Sequence, residues 1–147
     1  MDSVITKMLR YQAIHDIKGK CVDNTKYLMD SINASAGRKV AKVKAVLACW
    51  NDEHDTMICV HLVVMVNDVL YDPSYETSRH SPVYIDKIKD IDFTSHSISL
   101  RDILSNFLQF MSIAKGINEG RMILSDTKYY NNQADFMESM VRDKPKE

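Results

Sequence analysis

The sequence predicts an α+β domain in which a helix opening on a cysteine packs against a small antiparallel sheet, with further helices at both ends. Three observations predict it. Two β-rich runs, Val40 to Trp50 and Thr56 to Val66, flank the polar stretch Asn51-Asp52-Glu53-His54-Asp55, the pattern of an antiparallel hairpin. Apolar residues recur at helical spacing before the hairpin, and Leu100, Ile103, Leu104, Phe107, Leu108 and Met111 make an amphipathic helix after it.

Taken in order, Val4, Ile5, Met8, Leu9 and Gln12 share one stripe and predict a first helix from about Ser3 to Ile17, broken by Lys18-Gly19-Lys20. From Cys21 to about Ala34 the pattern is helical again, with Cys21, Thr25, Leu28 and Ile32 on one face. After the hairpin, Asn67-Asp68 reads as a two-residue turn into a third strand, Val69 to Asp72, which Pro73 ends because it brings no ladder donor. The prediction is a meander of three strands. Ser74 to Ser97 reads as a long loop bordering a site, with a helical turn near Ile85 to Ile91. The amphipathic helix takes Ser99 as its N-cap and Gly116 as its stop. Arg121 to Leu124 reads as a short strand and Asn131 to Val141 as a helix. The chain divides into one domain, 1–141, and a charged tail, 142–147.

Length and composition bound the function. A chain of 147 residues with 45% hydrophobic and 27% charged residues is expected to form one globular core. Nineteen basic and 20 acidic residues are interspersed, giving a net charge of −1 and no basic stripe for nucleic acid. The longest apolar run, Met57 to Val66, is interrupted by His61 and is too short to span a membrane. Met1-Asp2-Ser3 does not open a secretory signal, so the expectation is a cytoplasmic, reducing setting. Cys21, Cys49 and Cys59 form neither a disulfide framework nor a C-x-x-C metal pattern, so no metal and no cofactor is expected.

Cys21 has the strongest placement for chemistry. A thiol at the first turn of a helix meets free backbone N–H groups and the positive end of the helix dipole, both of which favour thiolate. Lys18 and Lys20 add positive charge and Asp23 opposes it; the alternative is a thiol that only packs. His61 interrupts an apolar strand and, if buried, needs partners. With Asn67-Asp68 as the turn, opposed positions sum to 135, so Asp72 faces Val63 and lies diagonal to His61 on the same face. A three-residue turn would flip that parity. Thiol, imidazole and carboxylate then supply nucleophile, proton carrier and orienting group.

Three pieces of the chain carry a resemblance: Gly19-Lys20-Cys21-Val22-Asp23-Asn24 at a helix start, His61-Leu62-Val63-Val64 on a strand, and Val69-Leu70-Tyr71-Asp72-Pro73-Ser74 closing the next. Together they resemble the papain-like fold in its transglutaminase-like branch, which includes peptidases, arylamine acetyltransferases and small viral or phage-type proteins. The resemblance implies a papain-like core, with Cys21 as nucleophile, His61 as general base and acid, and Asp72 as orienting group. It also implies Asn24 as a companion of the site and Gln12 as a candidate oxyanion donor, the alternative for Gln12 being a satisfied core amide. The chain departs from the family where Leu62, Val63 and Val22 stand in place of aromatic neighbours, so substrate contacts do not transfer.

The function expected on these grounds is cysteine-dependent acyl transfer, first as a peptidase or amidohydrolase on a peptide, protein or small amide. Transfer to an amine and an inactive binding or structural module of the same fold are the alternatives. The resemblance to small viral or phage-type members adds a virus-infected host cell or a virion as a secondary setting. Cys59 shares the face of His61 and is a rival nucleophile, but it lacks a helix N-terminus. His15, His54, His80 and His96 read as solvated, and the Tyr129-Tyr130 and Asn131-Asn132 doublets as loop-like. A zinc site of Cys21, Cys59 and His61 lacks a short-spaced ligand pair. Oligomeric state is not read from the sequence.

Overall fold

The computed structural model describes residues 2–90 and 99–142. The chain is α+β: α1 (Asp2–Ile14), α2 (Cys21–Ala36), β1 (Ala41–Asn51), β2 (Thr56–Val66), β3 (Val69–Tyr71), α3 (Tyr75–Ser78), β4 (Val83–Ile85), a 3-10 turn (Ile88–Asp90), α4 (Leu100–Asn118) and α5 (Thr127–Arg142). Among the described residues no helix is long and apolar enough to cross a membrane.

The hairpin forms as its pattern requires. β1 and β2 pair antiparallel along their full length, from Ala41 opposite Val66 to Asn51 opposite Thr56. β2 then turns through Asn67 and Asp68, both with positive φ (51° and 65°), the conformation of a type I′ turn whose twist suits the flanking strands. Val66 therefore pairs with Val69 and Val64 with Tyr71, and the same register continued by one step sets Asp72 opposite Val63.

The sheet is larger than the meander expected from sequence. Its order is β3-β2-β1-β4, with β4 drawn from the stretch read as a loop and paired to β1 through Leu47–Ile85, Ala48–Tyr84 and Cys49–Val83. A strand of three residues straight after Pro82 carries too little alternation to be recognised; its place is set by β1, not by its own pattern. α3 was likewise hidden in that loop. Asn118 extends the β1 edge beyond β4, its side chain accepting from Val43 N–H at 2.7 Å and donating to Val43 C=O at 2.9 Å.

One face of the sheet, including Val43, Ala45, Leu47, Leu62 and Val64, packs into a core with Met8 of α1, Leu28 and Met29 of α2, Ile103, Phe107 and Ile117 of α4, and Met137 of α5. The opposite face is also closed at its centre, where Val46, Ala48 and Val63 are buried beside His61. Side chains opposed across a pair share a face, so Val46 with His61, Ala48 with Cys59, and Tyr84 with Ala48 all lie on this second face.

Helix limits differ from expectation in instructive ways. α1 ends at Ile14 rather than Ile17, and α5 begins at Thr127, so the tyrosine and asparagine doublets are helical rather than loop-like. The reason is a cap the doublets conceal: Asp126 Oδ1 accepts from Tyr129 N–H at 3.0 Å, the geometry of an N-cap side chain. Arg142, read as the start of the tail, is the last residue of α5; 143–147 lie outside the described residues, as does His96. Residues 121–124 form no strand. Ser99 stands at the N-cap of α4, although its side chain makes no capping bond.

Gly116 does not stop α4. The helix runs to Asn118 and ends on a Schellman arrangement, with Arg121 N–H donating to Gly116 C=O at 3.0 Å and Gly120 N–H to Ile117 C=O at 3.1 Å. Gly120, at φ 78°, is the residue that needs the left-handed conformation. Gly116 is a glycine for packing: a Cβ there would sit 2.1 Å from Ile123 Cδ1. Gly116→Ala should therefore lower the urea midpoint, a net loss of about 1–2 kcal/mol after the roughly 1 kcal/mol gained in helix propensity. Adding Ile123→Ala should cost less than the sum of the two single changes, because it removes the atom in the way.

Candidate active site

Cys21 is the first residue of α2, and no side chain caps that helix, so its leading N–H groups are left for other acceptors. The approach to it is fixed from two sides. Gly19, at φ 71°, turns the chain and donates its N–H to Glu76 Oε2 of α3 at 2.7 Å. Lys20 pairs with Asp126 at 2.9 Å, which directs its charge to the start of α5 and away from the thiol. The fully buried Asp23 accepts from Ser125 N–H at 3.0 Å, Ser125 Oγ–H, and Asp126 N–H at 3.3 Å. A carboxylate facing the N-terminus of α5 in this way is stabilised by its donors and dipole. The helix that presents Cys21 is thus bolted to the helix that closes the chain.

His61 and Asp72 meet as the hairpin register implies: His61 Nε2 lies 2.9 Å from Asp72 Oδ1, both groups buried. Asp72 is held from all sides. Its Oδ1 also accepts from Ser74 N–H at 2.9 Å, an Asx turn that follows from Asp-Pro-Ser. Its Oδ2 accepts from Tyr84 O–H at 2.6 Å and from Thr77 Oγ–H at 2.5 Å. Three strand spacings of about 4.8 Å would separate β4 from β3 in a flat sheet, more than Tyr84 and Asp72 can span. The sheet curls, and this bond ties its two edges.

Cys21 lies near enough to His61 to influence its titration. Burial pulls the His61 pKa down, but hydrogen bonds to Asp72 and to Cys21, together with their negative charges, outweigh it and raise the pKa from 6.5 to about 9. A carboxylate can only accept, so the Nε2 that faces Asp72 carries a proton. Nδ1 is then the ring nitrogen left to exchange a proton with the Cys21 sulfur.

Cys59 and Cys49 sit in different surroundings. Burial pushes the Cys59 thiol up to about 12, with the nearby negative charges of Glu76, Cys21 and Asp72 adding to it, and burial also raises Cys49. Both stay protonated at neutral pH and are poor nucleophiles. Among the described residues no cluster of three or more His, Cys, Asp or Glu side chains is placed to hold a metal. Of the other histidines, His80 stacks on Trp50 at 4.7 Å between ring centroids and His15 lies edge-on to Tyr11 at 4.6 Å.

Gln12 and Asn24 support the strap that carries Asp72. Gln12 is buried, donates from Nε2 to Pro73 C=O at 2.6 Å and to Gln133 Oε1 at 3.3 Å, and accepts from Tyr75 N–H at 2.9 Å. Its amide protons are spent on these partners, so it is the satisfied core amide and not the donor to an oxyanion. Asn24 donates to Ser74 Oγ at 3.1 Å and accepts from Tyr129 O–H at 2.6 Å. Sequence reasoning missed Ser74, Thr77 and Tyr84. Only Ser74 had a local signal, the Asx turn; Thr77 and Tyr84 reach Asp72 through elements too short to be recognised.

Comparison with known proteins yields no match to a family profile, a curated protein or a solved structure.

Two outcomes follow. Because the folded His61 pKa lies above its unfolded value, the folded state holds the extra proton between about pH 6.5 and 9. The His61 contribution to stability is complete below pH 6.5 and lost as pH rises through about 9. Thermal melts across that range should show wild type losing more stability than His61→Gln. Gln12→Ala strands Pro73 C=O and Tyr75 N–H inside the protein and should cost on the order of 3 kcal/mol in a urea titration.

Proposed function

We propose that this protein is a cysteine-dependent acyl-transfer enzyme, acting first as a hydrolase of amide bonds through Cys21, His61 and Asp72. The observation that carries the reading is the buried His61–Asp72 hydrogen bond, with Cys21 at an uncapped helix N-terminus and close enough to His61 to raise its pKa. The same arrangement supports the resemblance to the papain-like fold in its transglutaminase-like branch.

The Cys21 thiolate attacks the acyl carbon, forming a C–S bond while the carbonyl electrons move onto oxygen. The Cys21 backbone N–H, at the positive end of α2, would serve as an oxyanion donor in place of the candidate Gln12. As the C–N bond breaks, His61 gives its Nδ1 proton to the departing amine. Water then attacks the thioester and returns a proton to His61, the C–S bond breaks, and the acid leaves with the thiolate restored. An amine in place of the water makes the same enzyme a transferase. Asp72 keeps its hydrogen bond to Nε2 and stabilises the imidazolium.

Alkylation by iodoacetamide at pH 6.5, followed by peptide mass spectrometry, tests this. Cys21 should react at least about tenfold faster than Cys49 or Cys59, His61→Ala should abolish that preference, and Cys21→Ala should lose turnover of any amide the wild type cleaves. Equal, slow labelling of all three cysteines would instead favour an inert module of the same fold.

A further inference from the structure

We propose that Thr77 is the positioning residue that sets the protonation of His61, sharing the imidazole Nε2–H with Asp72 while tying down the far oxygen of that carboxylate. Its catalytic consequence rests on the acyl-transfer reading above, but the ring contacts themselves do not.

Counting protons fixes the direction of each bond. Thr77 Oγ1 is buried and lies 2.5 Å from Asp72 Oδ2, 3.0 Å from His61 Nε2 and 3.3 Å from Ser74 C=O. A hydroxyl has one proton, and the nearest of these groups is a carboxylate oxygen that can only accept. The Thr77 proton goes to Asp72, so Thr77 presents a lone pair to Nε2. Nε2 must supply its own proton, shared between Thr77 Oγ1 and Asp72 Oδ1 at 2.9 Å. Thr77 on α3 and Asp72 at the end of β3 thus grip one N–H from two separate elements.

Two acceptors on Nε2 have two effects. Each adds stabilisation to the charged imidazolium, and together they oppose rotation of the ring, since turning it over would exchange Nε2 for a carbon and lose both bonds. Nδ1 is thereby held as the ring nitrogen free of these two acceptors. The charged or titratable groups around the ring are Asp72 from β3, Cys21 from α2, and Cys59 on its own strand, with Tyr84 of β4 reached through Asp72 and Glu76 of α3 near Cys59. Tyr84 provides an internal comparison. It donates to the same Asp72 oxygen as Thr77 and makes no bond to His61.

Long-range 1H–15N NMR of the histidine rings across a pH titration separates the possibilities. In wild type, neutral His61 should carry its proton on Nε2. Thr77→Val should lower the His61 midpoint by about one pH unit. Thr77→Ser should restore the wild-type midpoint, and Tyr84→Phe should shift it less than Thr77→Val does. A wild-type ring protonated on Nδ1 when neutral would overturn the proposal without any variant, which guards against a Thr77→Val that fails to fold. So would a folded Thr77→Val with an unchanged midpoint, or a Tyr84→Phe shift as large as that of Thr77→Val. The acyl-transfer reading fails separately, if Cys21 of the wild type shows no preferential alkylation while the ring spectrum is as described.

Discussion

The hydrogen bond between His61 and Asp72 depends on a turn of two residues. Asn67 and Asp68 both accept positive φ, and this fixes Val66 against Val69 and every later pair. Side chains alternate with a period of two, so one residue more in that turn would carry Asp72 to the other face of the sheet. His61 would then be a buried imidazole without its carboxylate, a costly group in an apolar strand. The site is therefore a consequence of backbone parity before it is a matter of side-chain chemistry.

Parity brings the two groups near each other, and the surrounding polar groups fix their orientation. Four donors, from His61, Ser74, Thr77 and Tyr84, converge on the two oxygens of Asp72 and fix the carboxyl in place. Those donors are themselves held: Gln12 clamps the backbone on both sides of Ser74, and Asn24 holds the Ser74 hydroxyl while accepting from Tyr129. Asp23 and Lys20 fasten the other half of the site, joining the Cys21 turn to the start of α5. Polar groups buried in this number are tolerable only when nearly all are paired; among the described residues, Gln133 Nε2 is the buried side-chain atom left without a partner.

The parts of this architecture governed by local pattern were legible in the sequence. The long hairpin, the Asn67-Asp68 turn, the helix opening on Cys21 and the diagonal placement of His61 and Asp72 all follow from periodicities and turn chemistry that short windows contain. What was not legible depends on distant partners. β4 is a strand because β1 offers an edge to Val83, Tyr84 and Ile85. Gly116 looks like a helix stop but leaves room for Ile123, and Arg121 to Leu124 looks like a strand but runs irregularly after the end of α4. Gln12 has the residue type of an oxyanion donor, and only its contacts to Pro73, Tyr75 and Gln133 show it to be structural. Tyr84 is the clearest instance: its hydroxyl matters because the curl of the sheet brings it to Asp72, while Thr77 reaches the same carboxylate from the single turn of α3, an element too short to be recognised.

In the proposed enzyme one imidazole is shared between a thiol and a carboxylate, each at its own ring nitrogen. The separation of Cys21 Sγ from the His61 ring in a high-resolution crystal structure tests it most directly. Nδ1 is expected to be the nearer nitrogen, about 3–4 Å from the sulfur, with Nε2 turned to Asp72. A sulfur beyond about 6 Å, or a ring presenting Nε2 to Cys21, would contradict it.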